Sequence, residues 1–255
     1  VKSTLDLAPA AALIRAGQPA VCLTGAGMST ASGISDFRSP GGIWSRYKPV
    51  TIQEFLASDD ARRRYWQYKQ ATFDEFAGAR PNAGHEAIAR LEEGGHLEAV
   101  ITQNIDGLHQ AAGSQRVLEL HGTDREVLCL SCDRRFSRAA VQERLLGGEA
   151  VPRCGACDGF LKPATVSFGQ SLPEDVLNEA VQLAHESRCL LALGSSLVVY
   201  PAAELPAVAR RSGAALIVIN REPTPVDALA DVVIQGDVSE VLPALADLVL
   251  GGGAG

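Results

Sequence analysis

The stretch CLTGAGMSTASGISDFRSP, residues 22–40, decides how the chain is read. It opens as an apolar run into Gly25-Ala26-Gly27, the pattern of a strand whose following turn lets backbone approach a pyrophosphate at a helix N-terminus. A full dinucleotide fingerprint would place a third glycine at Thr30, and the next glycine is Gly33. The acidic residue that grips a ribose some 20 positions on, about where a hydride-transferring dehydrogenase carries it, is also absent. A tight turn and a phosphate loop both remain open for this segment. Asp36, Phe37 and Arg38 close behind it combine an acceptor, an aromatic face and a guanidinium fork, or form a solvated loop with one buried Phe.

Outward from that stretch, apolar β-branched runs alternate with helical ones. AVCLT, LEAVIT, VLEL, RCLLALG, ALIVIN and DVVIQG read as buried strands. NAGHEAIARLEEGG, PEDVLNEAVQLAHES, PAAELPAVARRSG and SEVLPALADLVL read as helices, as does VKSTLDLAPAAALIRAG at the start. The alternation predicts an α/β fold, a Rossmann-like doubly wound parallel sheet covered on both faces. Two excursions interrupt it: a polar, aromatic, basic segment over 37–80 that reads as a cofactor loop and helical insertion, and a cysteine-bearing module over 123–162. The nucleotide-binding domain is then discontinuous, made of 1–36, 81–122 and 163–255.

Bulk properties narrow the class. The 255 residues are 46% apolar, enough for a sizeable core, and the net charge of -7 argues against a broad nucleic-acid footprint. No apolar run reaches the roughly 20 residues of a membrane helix, and nothing at the start resembles a signal peptide. A cytoplasmic protein without direct nucleic-acid or membrane binding is expected.

Four of the six cysteines form two Cys-x-x-Cys knuckles, Cys129/Cys132 and Cys154/Cys157, with 21 residues between them. In a reducing compartment these are metal ligands; four thiolates close a tetrahedral zinc sphere, so the metal is structural. A zinc-ribbon nucleic-acid module is the rival reading, and it leaves most of the chain unexplained. Cys22 and Cys189, inside apolar runs, read as core thiols.

Several polar side chains fall at the carboxyl ends of strands, where open α/β sheets bind ligands. Gln103, Asn104 and Asp106 follow one strand; their groups suit ribose hydroxyls and a carboxamide, or cap the short helix that follows. His121 ends another and can act as a general base or be a structural histidine. Gly194-Ser195-Ser196, Asn220 and Asp237 end three more, and Val166, Phe168 and Gly169 could line an apolar passage.

Taken in order, GAGMSTASGISDFR, TQNIDGLH, ELHG, the four cysteines, FGQSLP, GSSLVVYP, VIN and the late GD resemble the sirtuin family of NAD-dependent protein lysine deacylases, over about residues 21–248. The resemblance implies cleavage of nicotinamide from NAD rather than hydride transfer, with acyl-lysine proteins or peptides as substrates and one structural zinc. It implies a mobile loop in which Asp36, Phe37 and Arg38 close over NAD, phosphates along Gly25, Ala26, Gly27 and Ser29, and Gln103, Asn104 and Asp106 around the nicotinamide ribose. Gly194, Ser195, Ser196, Asn220 and Asp237 would face the adenosine half, and Val166, Phe168, Gly169 and Val199 the acyl-lysine. Asn104, Asp106 and His121 would be catalytic, His121 as base toward a ribose hydroxyl. The same scaffold also carries ADP-ribosyl transfer.

Departures from the family pattern include Ser35 for Pro, Met28 for Ile, Gln170 for Glu, and Ala164-Thr165 in the tunnel segment. In the branch that prefers succinyl-lysine a Tyr and an Arg lie three apart in the insertion. Here Trp66 and Lys69 align with them; at helical spacing they share a face, expected to border the tunnel mouth and to favour acetyl-lysine.

Overall fold

The structure, a computed structural model, describes residues 6–36 and 41–251. The strands are β1 (Ala20–Thr24), β2 (Ala99–Thr102), β3 (Val117–Glu119), β4 (Gly122–Cys129), β5 (Arg135–Ser137), β6 (Leu161–Thr165), β7 (Cys189–Leu193), β8 (Ala215–Asn220) and β9 (Val232–Gln235). Six of them form one parallel sheet in the order β3-β2-β1-β7-β8-β9. The central strands were legible as apolar runs because both their faces are covered: every residue of β1, β2 and β7 is buried, whereas the edge strands β3 and β9 are only partly so. Alternate residues feed two cores. Cys22 joins Ile14, Ile88, Leu91, Leu242 and Leu245 on one face, while Leu23 joins Leu183, Leu190, Leu205 and Leu216 on the other.

The strand order reverses between β1 and β7, which splits the loops that follow them and opens a crevice at their carboxyl ends. Those two loops touch nonetheless. Gly27 N donates to Gly194 O at 2.8 Å, and Gly194 adopts φ +57°, where an added Cβ would lie 2.6 Å from Met28 N. A side chain at Gly194 would therefore push the loops apart.

The sequence did not reveal the second sheet, β5-β4-β6, which is antiparallel. GTDREVLC lacks a clean alternation, and LKPAT contains Pro163, tolerated because β6 is an edge strand. The segment between the knuckles holds β5 and a helix, Arg138–Leu146. The insertion is helical: Ile43–Arg46, Ile52–Ala57, Asp59–Ala71 and Phe73–Gly78. A capping box starts the second, Thr51 Oγ1 accepting from Glu54 N while the Glu54 carboxylate accepts from Thr51 N. The insertion and the cysteine module share one core, in which Phe55, Tyr65 and Trp66 pack with Val127, Val141, Leu145 and Leu161.

Candidate active site

At the carboxyl end of the main sheet lies a crevice of about 740 Å³, large enough for a dinucleotide and a side chain. One wall is Gly25, Ala26, Gly27 and Asp36; the next is Gln103, Asn104 and His121; the third is Gly194, Ser195, Ser196 and Asn220. Val166, Phe168, Gly169 and Val199 line its far end. Sixteen residues singled out from the sequence, Lys69 included, thus meet in one cavity. Phe37 and Arg38 lie outside the described residues.

Hydrogen bonds hold this wall in place. Asn104 Nδ2 donates to Gly25 O at 3.0 Å and to Ser29 Oγ at 3.1 Å, and Ser29 Oγ donates to Asp106 at 2.7 Å. Gln103 Nε2 donates to Ser195 Oγ at 2.9 Å, which ties the β2 loop to the β7 loop across the crevice. Ser29 and Asp106 therefore stand behind Asn104 rather than on the main cavity surface. Asp106 also accepts from Leu108 N at 2.9 Å and so caps the helix Leu108–Ala112, the structural one of its two readings.

His121 enters the crevice from the end of β3. Its Nδ1 is 2.9 Å from Gln103 O, an oxygen that only accepts, so the proton sits on Nδ1 and the lone pair on Nε2. Val166 N donates to His121 O at 2.8 Å, joining the histidine to the acyl-side loop. Gly122, φ +69°, is required between them: a Cβ there would lie 2.0 Å from Ala164 O.

Two expected site residues are placed elsewhere. Asp237 does not line the crevice, although Gly236 and Val238 do. It caps the last helix, accepting from Ser239 N and Oγ at 2.8 Å each, and pairs with Arg221, itself at the crevice edge. Trp66 is fully buried in the small core, away from the tunnel mouth. The face of Asp59–Ala71 that meets the crevice is the neighbouring one, carrying Arg64, Tyr65, Tyr68 and Lys69. Trp66 and Lys69, three apart, are thus split between the small core and the crevice; only packing tells which residues turn inward.

Lys69 is buried and committed: Nζ lies 2.5 Å from Asp124 Oδ1, and Arg138 Nε is 3.8 Å from the other carboxylate oxygen. Burial works against its charge, but Asp124 outweighs burial and lifts the pKa above the ordinary lysine range. Burial likewise opposes ionisation of Tyr65, yet the ammonium groups of Lys162 and Lys69 hold its phenol below the usual tyrosine range.

The four cysteine sulfurs of the small module lie within 4.8 Å of one another. The Cys129–Cys157 and Cys132–Cys154 sulfurs are 3.5 and 3.8 Å apart. Zinc–sulfur bonds of about 2.3 Å in a tetrahedron separate sulfurs by about 3.8 Å, so the cluster fits a four-thiolate zinc. No position of that sphere is open to substrate. Among the described residues no helix is long and apolar enough to cross a membrane.

Comparison with known proteins agrees with this geometry. The family model described as the Sir2 family matches residues 25–201. An NAD-dependent protein deacetylase of Rhodopseudomonas palustris is 49% identical over 224 residues, 87% of this chain and 88% of that protein. A solved structure of Sir2 with p53 peptide and NAD+ superposes with a TM-score of 0.89 at 39% identity, covering 97% of this chain and 99% of that one. Another, with deacetylated p53 peptide and 3'-O-acetyl ADP ribose, gives a TM-score of 0.87 at 40% identity over 96% and 97% of the two chains.

Proposed function

Since the chain belongs to the Sir2 family, we propose that it removes acyl groups, acetyl foremost, from protein lysine side chains using NAD, leaving free lysine, nicotinamide and O-acyl-ADP-ribose. The observation that carries this is the single crevice in which a glycine loop at the switch point faces His121 and an apolar passage. The residues suit the cofactor. Gly25, Ala26 and Gly27 would present backbone to its phosphates, Gln103 and Asn104 would hold its nicotinamide ribose, and Ser195, Ser196 and Asn220 its adenosine; all of them line the crevice. When bound, NAD supplies the ribose that takes the acyl group as nicotinamide leaves.

The chain's own part is positioning, proton transfer and exclusion of water. Val166, Phe168 and Val199 enclose the apolar stem of the acyl-lysine, and the loops that carry them offer edges to its backbone. His121, with Nδ1–H held by Gln103 O, takes a proton on Nε2 from the attacking ribose hydroxyl. Asn104, braced by Gly25 and Ser29, orients that ribose; Asp106 braces Ser29. Zinc stabilises the small module and takes no part in the reaction. Paired cysteines used as metal ligands favour a reducing compartment, in keeping with a cytoplasmic location.

The test is a panel of acyl-lysine peptides incubated with NAD, with products identified by mass spectrometry. Free lysine peptide with O-acyl-ADP-ribose is expected. ADP-ribose attached to protein, with no lysine release, would overturn the reading in favour of ADP-ribosyl transfer.

A further inference from the structure

Two histidines lie beneath the floor of the crevice, and the chemistry above uses neither. His109 is 1% exposed in the helix Leu108–Ala112, and His85 is 0% exposed in the first turn of the helix Ala83–Glu93. Their ring centroids are 4.8 Å apart. Their surroundings fix their protons. The Thr24 hydroxyl donates its one proton to Thr102 Oγ1 at 2.8 Å, so toward His109 Nε2, 3.0 Å away, it can only accept. His109 therefore carries its proton on Nε2 and leaves Nδ1 bare. His85 Nδ1 accepts from Asn82 N at 3.3 Å, so its proton is on Nε2.

The two remaining nitrogens, His109 Nδ1 and His85 Nε2, are buried and meet no partner among the described residues. One is an acceptor and the other a donor, but the rings meet edge to face at 61° and no hydrogen bond joins them. Both rings are held neutral. Burial enforces that state: it pushes His109 down to about 3, and His85 to about 4 against the opposing Asp106 carboxylate.

Two separate chains of bonds, one at each end of the histidine pair, reach the cofactor walls. At one end Thr102 Oγ1 accepts from Asn104 N at 3.0 Å. At the other, Asn82 Nδ2 donates to Met28 O and Ser32 Oγ, each at 2.9 Å. We propose that His109 is a positioning residue which, through the hydroxyls of Thr24 and Thr102, sets the backbone of Asn104 and hence the amide presented to the nicotinamide ribose; His85, which packs edge-on against it, is bound separately through Asn82 to the glycine loop. The role rests on the deacylase reading above. It gives a use to a buried neutral imidazole at 109, as a rigid donor to the Thr24 hydroxyl.

The experiment pairs kinetics with nitrogen NMR. His109→Leu is expected to lower kcat at least about tenfold, with KM for the acetyl-lysine peptide within about twofold, the size of one lost hydrogen bond felt in the transition state. Thr102→Val should match it, and the double variant should be no worse than either single one. His109→Gln, whose amide can donate to Thr24, and Thr102→Ser should each return to within about threefold of wild type, since each restores that one bond. In the ligand-free protein both rings should show the Nε2-protonated neutral form. Additive losses that track the melting temperature, with Gln as damaging as Leu, would reduce the residues to packing and overturn the proposal. So would an Nδ1-protonated His109. A wild-type chain that releases no lysine would refute the deacylase reading and this role with it, whereas normal turnover with the wrong tautomer refutes the role alone.

Discussion

Replacing Asp124 by Asn tests the buried charges that border the acyl end of the crevice. Asp124 is the carboxylate paired with Lys69 at 2.5 Å, and both side chains are at most 6% exposed. Arg138 is 3.8 Å from the same carboxylate, and its guanidinium donates to Lys69 O at 2.6 Å. Asn would leave these cations buried without their counter-charge. Removing one partner of such a pair costs about 3–5 kcal/mol, against roughly neutral replacement of both by apolar groups. For a chain of this size that is a fall of about 10 °C in melting temperature, at about 2–4 °C per kcal/mol. Asp124→Leu combined with Lys69→Met should recover most of it.

The same pair is expected to bear on acyl choice. With its ammonium already engaged, Lys69 offers a succinyl carboxylate only a shared partner. Acetyl-lysine peptide should therefore exceed succinyl-lysine peptide by at least about tenfold in kcat/KM, about 1.4 kcal/mol. In Asp124→Asn, assayed well below its melting temperature, the succinyl deficit should narrow because Lys69 gains an open valence. The checks are thermal melts and kcat/KM for the two peptides on each protein. A wild-type enzyme that uses both peptides equally, or an Asp124→Asn variant as stable as wild type, would refute the reasoning.

Other perturbations have equally definite outcomes. His121→Ala should nearly abolish lysine release, by about 100- to 10,000-fold, while calorimetric NAD affinity stays within an order of magnitude. Metal analysis should find about one zinc per chain, and Cys154→Ala should lose it and fold poorly; a metal-free wild type that melts cooperatively would contradict the site. Acid should destabilise the fold through His85 and His109: unfolded imidazoles protonate near 6.5, whereas the folded ones stay neutral down to about 4 and about 3. The unfolded state then binds more protons, so stability falls as pH drops from about 7 towards 4, by about 2 kcal/mol per histidine at pH 5. Urea midpoints of a His85→Gln/His109→Gln variant should lose that part of the slope.

The central strands of the main sheet were legible because strands buried on both faces must be apolar throughout, and because glycine and small polar residues mark their ends. The zinc ligands were legible from spacing alone. The small sheet was hidden, since β4 and β6 carry Asp124, Lys162 and Pro163 among their residues, whose burial depends on partners distant in sequence. For the same reason Trp66 was assigned to the wrong face. An aromatic at the right spacing fits a core and a tunnel equally well, and the core of Phe55, Val127 and Leu161 claimed it. Asp237 was misplaced by a different ambiguity: an acid at a strand end serves a ligand or the next helix, and here it caps the helix.

The stem of the zinc module has a mechanical consequence. Strand β4 leaves immediately after His121, and β6 returns immediately before Val166, with Gly122 paired to Thr165 where the two strands meet the main body. The metal grips the far ends of this two-stranded fork, and the base and the acyl-binding loop sit at its handles. A zinc ion bound there would touch no reacting atom, yet it would help to fix the spacing between the base and the acyl-binding loop. Progressive chelation should then act like a loosened clamp, slowing turnover while cofactor affinity persists.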